Sequence, residues 1–166
     1  MECCDDCGFA WELVPASEIG PRIVAGTTTL ADLVRTDPGA TSRPRPDRWS
    51  ALEYAAHVRD VCLHVRDRLV IALVEDEPEF KPLYREERVD LGLYAADDGA
   101  TVARELTGAG ALFARTFAAV GPEQLERTCI YTFPTARTRT IRWMGQQVVH
   151  EVEHHLTDVR ENTIAE

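Results

Sequence analysis

Four long stretches of this chain repeat their apolar residues at the spacing of an α-helix, and strand-like alternation is almost absent. The first covers about residues 17–35, with Ile19, Ile23, Leu30 and Val34 on one stripe, and stops at Asp37-Pro38-Gly39. The second opens on a capping box, Ser50 with Glu53 three residues on, and continues through Tyr54, Val58, Val61, Val65, Leu69 and Ala72 to about Glu75. The third, about residues 98–120, carries Val102, Leu106, Ala109, Phe113 and Phe117 and ends at Gly121-Pro122. The last covers about residues 141–161. A helix with one apolar stripe has to bury it, and four such helices do so most simply against one another. The expected fold class is therefore all-α, a four-helix bundle.

The connections are uneven. Residues 40–48 form a loop in which Pro44 and Pro46 alternate with Arg43 and Arg45, and Arg48 follows. This is either a solvated linker or an anion clamp over a nearby pocket. Residues 76–96, with two prolines and mixed charge, make a long loop between the second and third helices. It either crosses between distant helices or lines a site. Residues 129–133 and 137–140 can pair as a short ribbon around Pro134, before the last helix.

The 166 residues suit a single domain over 1–166, and 45% hydrophobic with 28% charged residues excludes a disordered or fibrous chain. The net charge of −10 repels phosphate backbones and anionic lipid, so neither nucleic acid nor membrane is an expected partner. No apolar run approaches the ~20 residues of a bilayer span. The start, Met1-Glu2-Cys3-Cys4-Asp5-Asp6, lacks the basic and apolar segments of a signal peptide, so a cytoplasmic location is expected. The odd, clustered set Cys3, Cys4, Cys7, Cys62 and Cys129 does not suit a disulfide framework. Cys4-x-x-Cys7-Gly8 is half of a zinc knuckle, but no second CxxC completes four ligands. Residues 1–14 are accordingly read as a mobile segment with free thiols, the alternatives being a metal shared with another chain or a redox pair.

The chemistry concentrates in the histidines. His57 and His64 lie on the second helix, and His150, His154 and His155 on the last. Groups one turn apart on a helix can grip the same metal, and the last helix offers two such pairs, His150 with His154 and Glu151 with His155. Relative to Val148, on the apolar stripe, Glu151 sits at about −60° and His155 at about −20°. His150 and His154 lie at about −160° and −120°, on the polar side with Trp143 and Gln147. The inward pair is therefore Glu151 and His155. His57 lies on the inward face of the second helix and can meet that pair across the core. His64, two turns and ~10.5 Å further along, cannot share a metal with His57 and is read as a hydrogen-bonded structural group.

His150-Glu151-Val152-Glu153-His154 also spells HExxH, the zinc-protease helix. Thr157 and Arg160 stand where the metzincin continuation needs Gly and His, and 12 residues after His154 leave little room for a downstream Glu. A ferritin-like di-iron site fails as well, because Glu151-x-x-His154 has no partner motif.

The segment from Trp49 to Val58, Trp-Ser-Ala-Leu-Glu-Tyr-Ala-Ala-His-Val, resembles the second-helix motif of the DinB/YfiT-like superfamily. Glu151-x-x-x-His155-x-x-Asp158 resembles the closing motif of its mycothiol-dependent maleylpyruvate isomerase branch, and the doubled His154-His155 is similar to other branches in which the second His is the ligand. The resemblance covers residues 16–161 in helix order. It implies a four-helix bundle, often a homodimer, with one divalent metal held by His57, Glu151 and His155; His150 and His154 remain a competing pair. It also implies a small-molecule substrate, and mycothiol- or bacillithiol-dependent S-transfer or isomerisation as the activity.

On that reading the metal is zinc, with nickel, iron or manganese as alternatives, and it favours the thiolate of a low-molecular-weight thiol. Asp158 would orient His155 from behind. Arg43, Arg45 and Arg48 would attract an acidic substrate. The competing reading is a non-catalytic bundle that binds a metal or a small ligand.

Overall fold

The computed structural model describes residues 1–164. Its long helices fall where the apolar periodicity puts them: α1 (Ala16–Thr36), α2 (Ala51–Val74), α4 (Gly99–Ala118) and α5 (Ile141–Ile164). A short helix, α3 (Arg85–Asp90), and three short strands, β1 (Glu79–Phe80), β2 (Thr128–Tyr131) and β3 (Arg137–Thr140), occupy the connections.

Packing sets the order of the bundle. α1 lies against α4 and α5, and α2 lies against the same two helices, while α1 and α2 touch little. The first two helices in sequence are therefore diagonal, and the loop between them crosses one end of the bundle. The core is built from the forecast stripes: Ile19, Ile23, Leu30, Leu69, Leu106, Phe113, Ile141 and Val148 are fully buried. Close helix approach is possible because small residues stand at the crossings. A Cβ on Gly145 would lie 2.5 Å from the Phe117 ring and 3.0 Å from Ile19. No helix among the described residues is long and apolar enough to cross a membrane.

The ribbon forms as β2 and β3, antiparallel, with Thr128 opposite Thr140 and Tyr131 opposite Arg137. A third strand joins it that the sequence did not announce: β1 pairs parallel to β2, Phe80 beside Tyr131. The loop after α2 is thus no crossover between distant helices, since α2 and α4 are neighbours. It lines a cleft instead, with Phe80, Lys81 and Pro82 in the wall.

Residues 1–14, read from the sequence as a mobile segment, fold back onto α5 in the structure. Cys3 bridges to Ala10, a 3-10 turn follows over Trp11–Leu13, and the Trp11 indole N–H donates to Gln147 Oε1 at 2.8 Å. Glu2 accepts from both Arg139 Nη atoms at 2.7 Å.

Candidate metal centre

The site begins with the start of α2. Ser50 and Glu53 form the expected capping box, the Glu53 N–H donating to Ser50 Oγ at 3.2 Å and the Ser50 N–H to Glu53 Oε2 at 2.8 Å. Arg43 closes on the same carboxylate, Nε at 2.8 Å and Nη2 at 2.5 Å. With its first turn pinned, α2 points His57, one turn on, into the core, where it is 2% exposed. On α5 the apolar stripe Ile141, Val148, Val152 and Val159 is buried, and Glu151 and His155 border it as the helical phase requires.

The three side chains converge. Glu151 Oε2 lies 3.3 Å from His57 Nε2 and 3.4 Å from His155 Nε2, and one ligand-type atom from each residue falls within 4.8 Å of the others. Glu151 and His155 are also held from behind, whereas the buried Nδ1 of His57 has no hydrogen-bond partner. Glu151 Oε1 accepts from Gln147 Nε2 at 2.7 Å, and Gln147 is in turn held by Trp11. His155 Nδ1 meets Asp158 Oδ2 at 2.8 Å. An Nδ1–H given to that carboxylate leaves Nε2 as the atom that would ligate a metal. Tyr54 stacks on His155, ring centres 5.1 Å apart, and Trp49 stands edge-on to His57 at 5.5 Å.

Burial pushes the His57 imidazole below its ordinary value, against the pull of Glu151. Burial acts the same way on His155, but Asp158 and Glu151 outweigh it and hold this imidazole above its ordinary value. Burial disfavours the Glu151 carboxylate, yet His150, His155 and His57 together keep it ionised far below the usual range. Two imidazole nitrogens and one carboxylate oxygen suit zinc and its divalent neighbours, and three protein ligands leave coordination positions open.

His57 and Glu151 form part of the wall of a cleft of about 760 Å³. Its cations are not those of the loop at residues 40–48. Arg43 is committed to Glu53, Arg48 donates to the Asp158 carbonyl at 3.1 Å and to Glu161 at 2.9 Å, and exposed Arg45 pairs with Asp47 at 3.5 Å. The anion-clamp alternative is corrected on this point: the loop crosses the bundle end, where Arg43 braces α2 and Arg48 braces α5, while Arg45 pairs within the loop. The cleft is lined instead by Arg68, Arg85, Arg137 and Arg139. The alternation Arg137-Thr138-Arg139-Thr140 was the available signal, since a strand puts residues two apart on one face. Arg68 had none beyond lying three helical turns after His57. It is 7% exposed, sits 5.3 Å from the Phe80 ring and 5.2 Å from the Tyr131 ring, and donates to the Lys81 carbonyl.

His64 also lines this cleft, and its buried Nε2 has no hydrogen-bond partner, so the structure does not give that atom the bond expected of a structural histidine. His150 and His154 do not join His57. They group with Cys4 and Cys7 of the N-terminal segment, while His150 Nδ1 lies 3.8 Å from Glu151 Oε1 and His154 Nε2 3.6 Å from Asp158 Oδ2.

Comparison with known proteins places this geometry in a family. The sequence profile of the DinB superfamily matches residues 25–159, most of the chain, and the chain belongs to that superfamily. Among solved structures it is similar to YfiT from Bacillus subtilis, at 16% identity with a TM-score of 0.80, covering 98% of this chain and 93% of that one. YfiT is described as a probable metal-dependent hydrolase with an unusual four-helix bundle topology. That likeness shows the fold, a four-helix bundle. No curated protein sequence matches this chain.

Proposed function

We propose that this DinB-superfamily chain is a metal-dependent enzyme in which His57, Glu151 and His155 hold a divalent metal, zinc by first choice, beside a cleft that takes a low-molecular-weight thiol and an electrophile. The observation that carries the reading is the convergence of His57 Nε2, Glu151 Oε2 and His155 Nε2, each residue oriented from behind or walled in, at the edge of a cleft of substrate size. A metal there would supply a Lewis acid that favours the thiolate over the thiol.

The protein's own groups supply binding and orientation. Arg68 is a nearly buried guanidinium that forms no ion pair among the described residues, and a buried cation without a counter-charge favours an anionic ligand. Tyr131 and Trp143, ring centres 5.1 Å apart, offer an apolar face beside it. The cleft thus suits a small thiol or acceptor that carries acidic groups, as in mycothiol- or bacillithiol-dependent S-transfer or isomerisation. Gln147 and Asp158 keep Glu151 and His155 aimed at one point while ligands exchange.

The test is turnover by untagged protein loaded with zinc, nickel or manganese, using mycothiol and bacillithiol with a panel of electrophiles, alongside esters and amides without thiol. Thiol-dependent consumption of the electrophile, lost in His57→Ala, is the expected result. Hydrolysis without thiol would assign this chain the activity ascribed to the Bacillus subtilis relative. Metal binding with no turnover of either kind would leave a non-catalytic metal- or ligand-binding bundle.

A further inference from the structure

Beside the triad lies a second convergence of ligand-type side chains, which the proposed activity does not use. The sulfurs of Cys4 and Cys7 and a ring nitrogen from each of His150 and His154 all fall within 4.8 Å of one another. We propose that these four residues form a second metal site, a closed Cys2His2 site of the kind that takes Zn²⁺. It goes beyond the proposed activity and stands without it, since the two ligand sets share no residue.

Each ligand is presented by a local structure suited to the task. The Cys4-Asp5-Asp6-Cys7-Gly8 segment is a tight turn, with the Gly8 N–H donating to the Cys4 carbonyl at 2.9 Å and the Cys4 N–H to the Phe9 carbonyl at 2.8 Å. Gly8 closes it at φ 72°, in the left-handed region that a side chain would strain. Within the turn, the N–H groups of Cys7 and Asp6 are directed at the Cys4 sulfur and that of Phe9 at the Cys7 sulfur. Burial disfavours both thiolates; the backbone donors outweigh it at Cys4, held below its ordinary value, but not at Cys7, pushed up by burial and by Cys4, where a bound cation would supply the missing stabilisation.

His150 and His154, one turn apart on α5, complete the set from the other side. His150 is 12% exposed, and neither of its buried ring nitrogens completes a hydrogen bond. The Nδ1 of His154 is likewise buried without a partner, while its Nε2 lies 3.6 Å from Asp158 Oδ2. Buried imidazole nitrogens left unfilled beside two sulfurs are what a ligand set looks like before its metal is counted. Ligand atoms around a tetrahedral zinc stand about 3.3–3.8 Å apart, so small side-chain rotations close the set.

Four ligands leave no position for substrate, which marks the site as structural. It would pin the N-terminal segment to α5. That segment carries Trp11, which orients Glu151 through Gln147, and Glu2, which holds Arg139 at the cleft. The second site would therefore set the wall and the backing of the first.

The experiment loads metal-free, untagged, full-length protein with Zn²⁺ and with Co²⁺ under reductant. Two equivalents should bind, and the cobalt form should show a near-ultraviolet sulfur-to-cobalt charge-transfer band. Cys4→Ser with Cys7→Ser should remove one equivalent and the whole band; His57→Ala with His155→Ala should remove the other equivalent and leave the band. Failure of the triad reading alone would give one equivalent, with the band, indifferent to His57→Ala. Cobalt-loaded protein without a sulfur band, or a band that survives the cysteine substitutions, overturns the proposal. So does a Cys4–Cys7 disulfide in zinc-loaded protein exposed to air, which would make the pair a redox dithiol. Should the cysteine variant fail to fold, the unaltered protein decides: an organomercurial that modifies its thiols should release one zinc equivalent to an indicator dye, and no release overturns the site.

Discussion

One carboxylate serves two neighbouring imidazoles: Asp158 Oδ2 is 2.8 Å from His155 Nδ1 and 3.6 Å from His154 Nε2. Asp158→Asn preserves the shape and weakens the acceptor, so metal affinity at the triad should fall roughly 10–100-fold by calorimetric titration, with the helical circular dichroism unchanged. The proton competes with the metal at the same residue. Only neutral imidazole ligates, and His155 is held above the ordinary 6.5 while His57 is held below it. His155 therefore takes up the competing proton first as pH falls. The apparent dissociation constant should be flat above the raised His155 value and rise about tenfold per pH unit below it, beginning on the neutral side of 6.5. A competition titration between pH 8 and 6 checks this; a constant that stays flat across the range contradicts it. At this scale the sequence was legible where geometry is periodic: about 100° per residue separated Glu151 and His155 from His150 and His154. It was silent on what covers the outer pair, because Cys4 and Cys7 reach it from more than 140 residues away and only folding brings them together.

At the scale of elements, α5 is a helix with two ligand-bearing faces, one turned to α2 and the other to the N-terminal segment. Its placement depends on close contact with α1 and α4 at Gly145, where an added Cβ would press on Phe117 at 2.5 Å. Gly145→Ala should destabilise the fold by about 1–3 kcal/mol from overpacking, less the roughly 1 kcal/mol that alanine returns as a better helix former, measured by urea unfolding. On α2, Ser50→Ala should cost about 0.5–2 kcal/mol through loss of the cap. The four long helices could be read from the sequence because an apolar stripe and a capping box are local signals. β1 could not, since two residues paired in parallel to a strand some 50 positions later carry no local pattern. Nor could α3, which starts at Tyr84 in the left-handed region, φ 57°, with no side-chain cap. The loop arginines misled for a related reason: charge spacing says that Arg43 and Arg48 seek anions, and the anions they find are Glu53 and the end of α5.

For the whole molecule, diagonal placement of α1 and α2 makes α5 the helix that meets His57 across the core, so a metal at the triad ties together segments 94 residues apart. Zinc at a free concentration 100-fold above its dissociation constant should then stabilise the fold by about 2.7 kcal/mol, or roughly 5–11 °C in melting temperature for a chain of this size. Chelator should reverse the shift, and His57→Ala should abolish the share due to the triad. The central claim is that His57, Glu151 and His155 hold the metal of the cleft, and anomalous diffraction at the zinc edge from crystals of untagged, zinc-loaded protein tests it most directly. The expected result is a peak bounded by His57 Nε2, Glu151 Oε2 and His155 Nε2. Anomalous density confined to His150 and His154, with the triad atoms still paired only to one another, would contradict it.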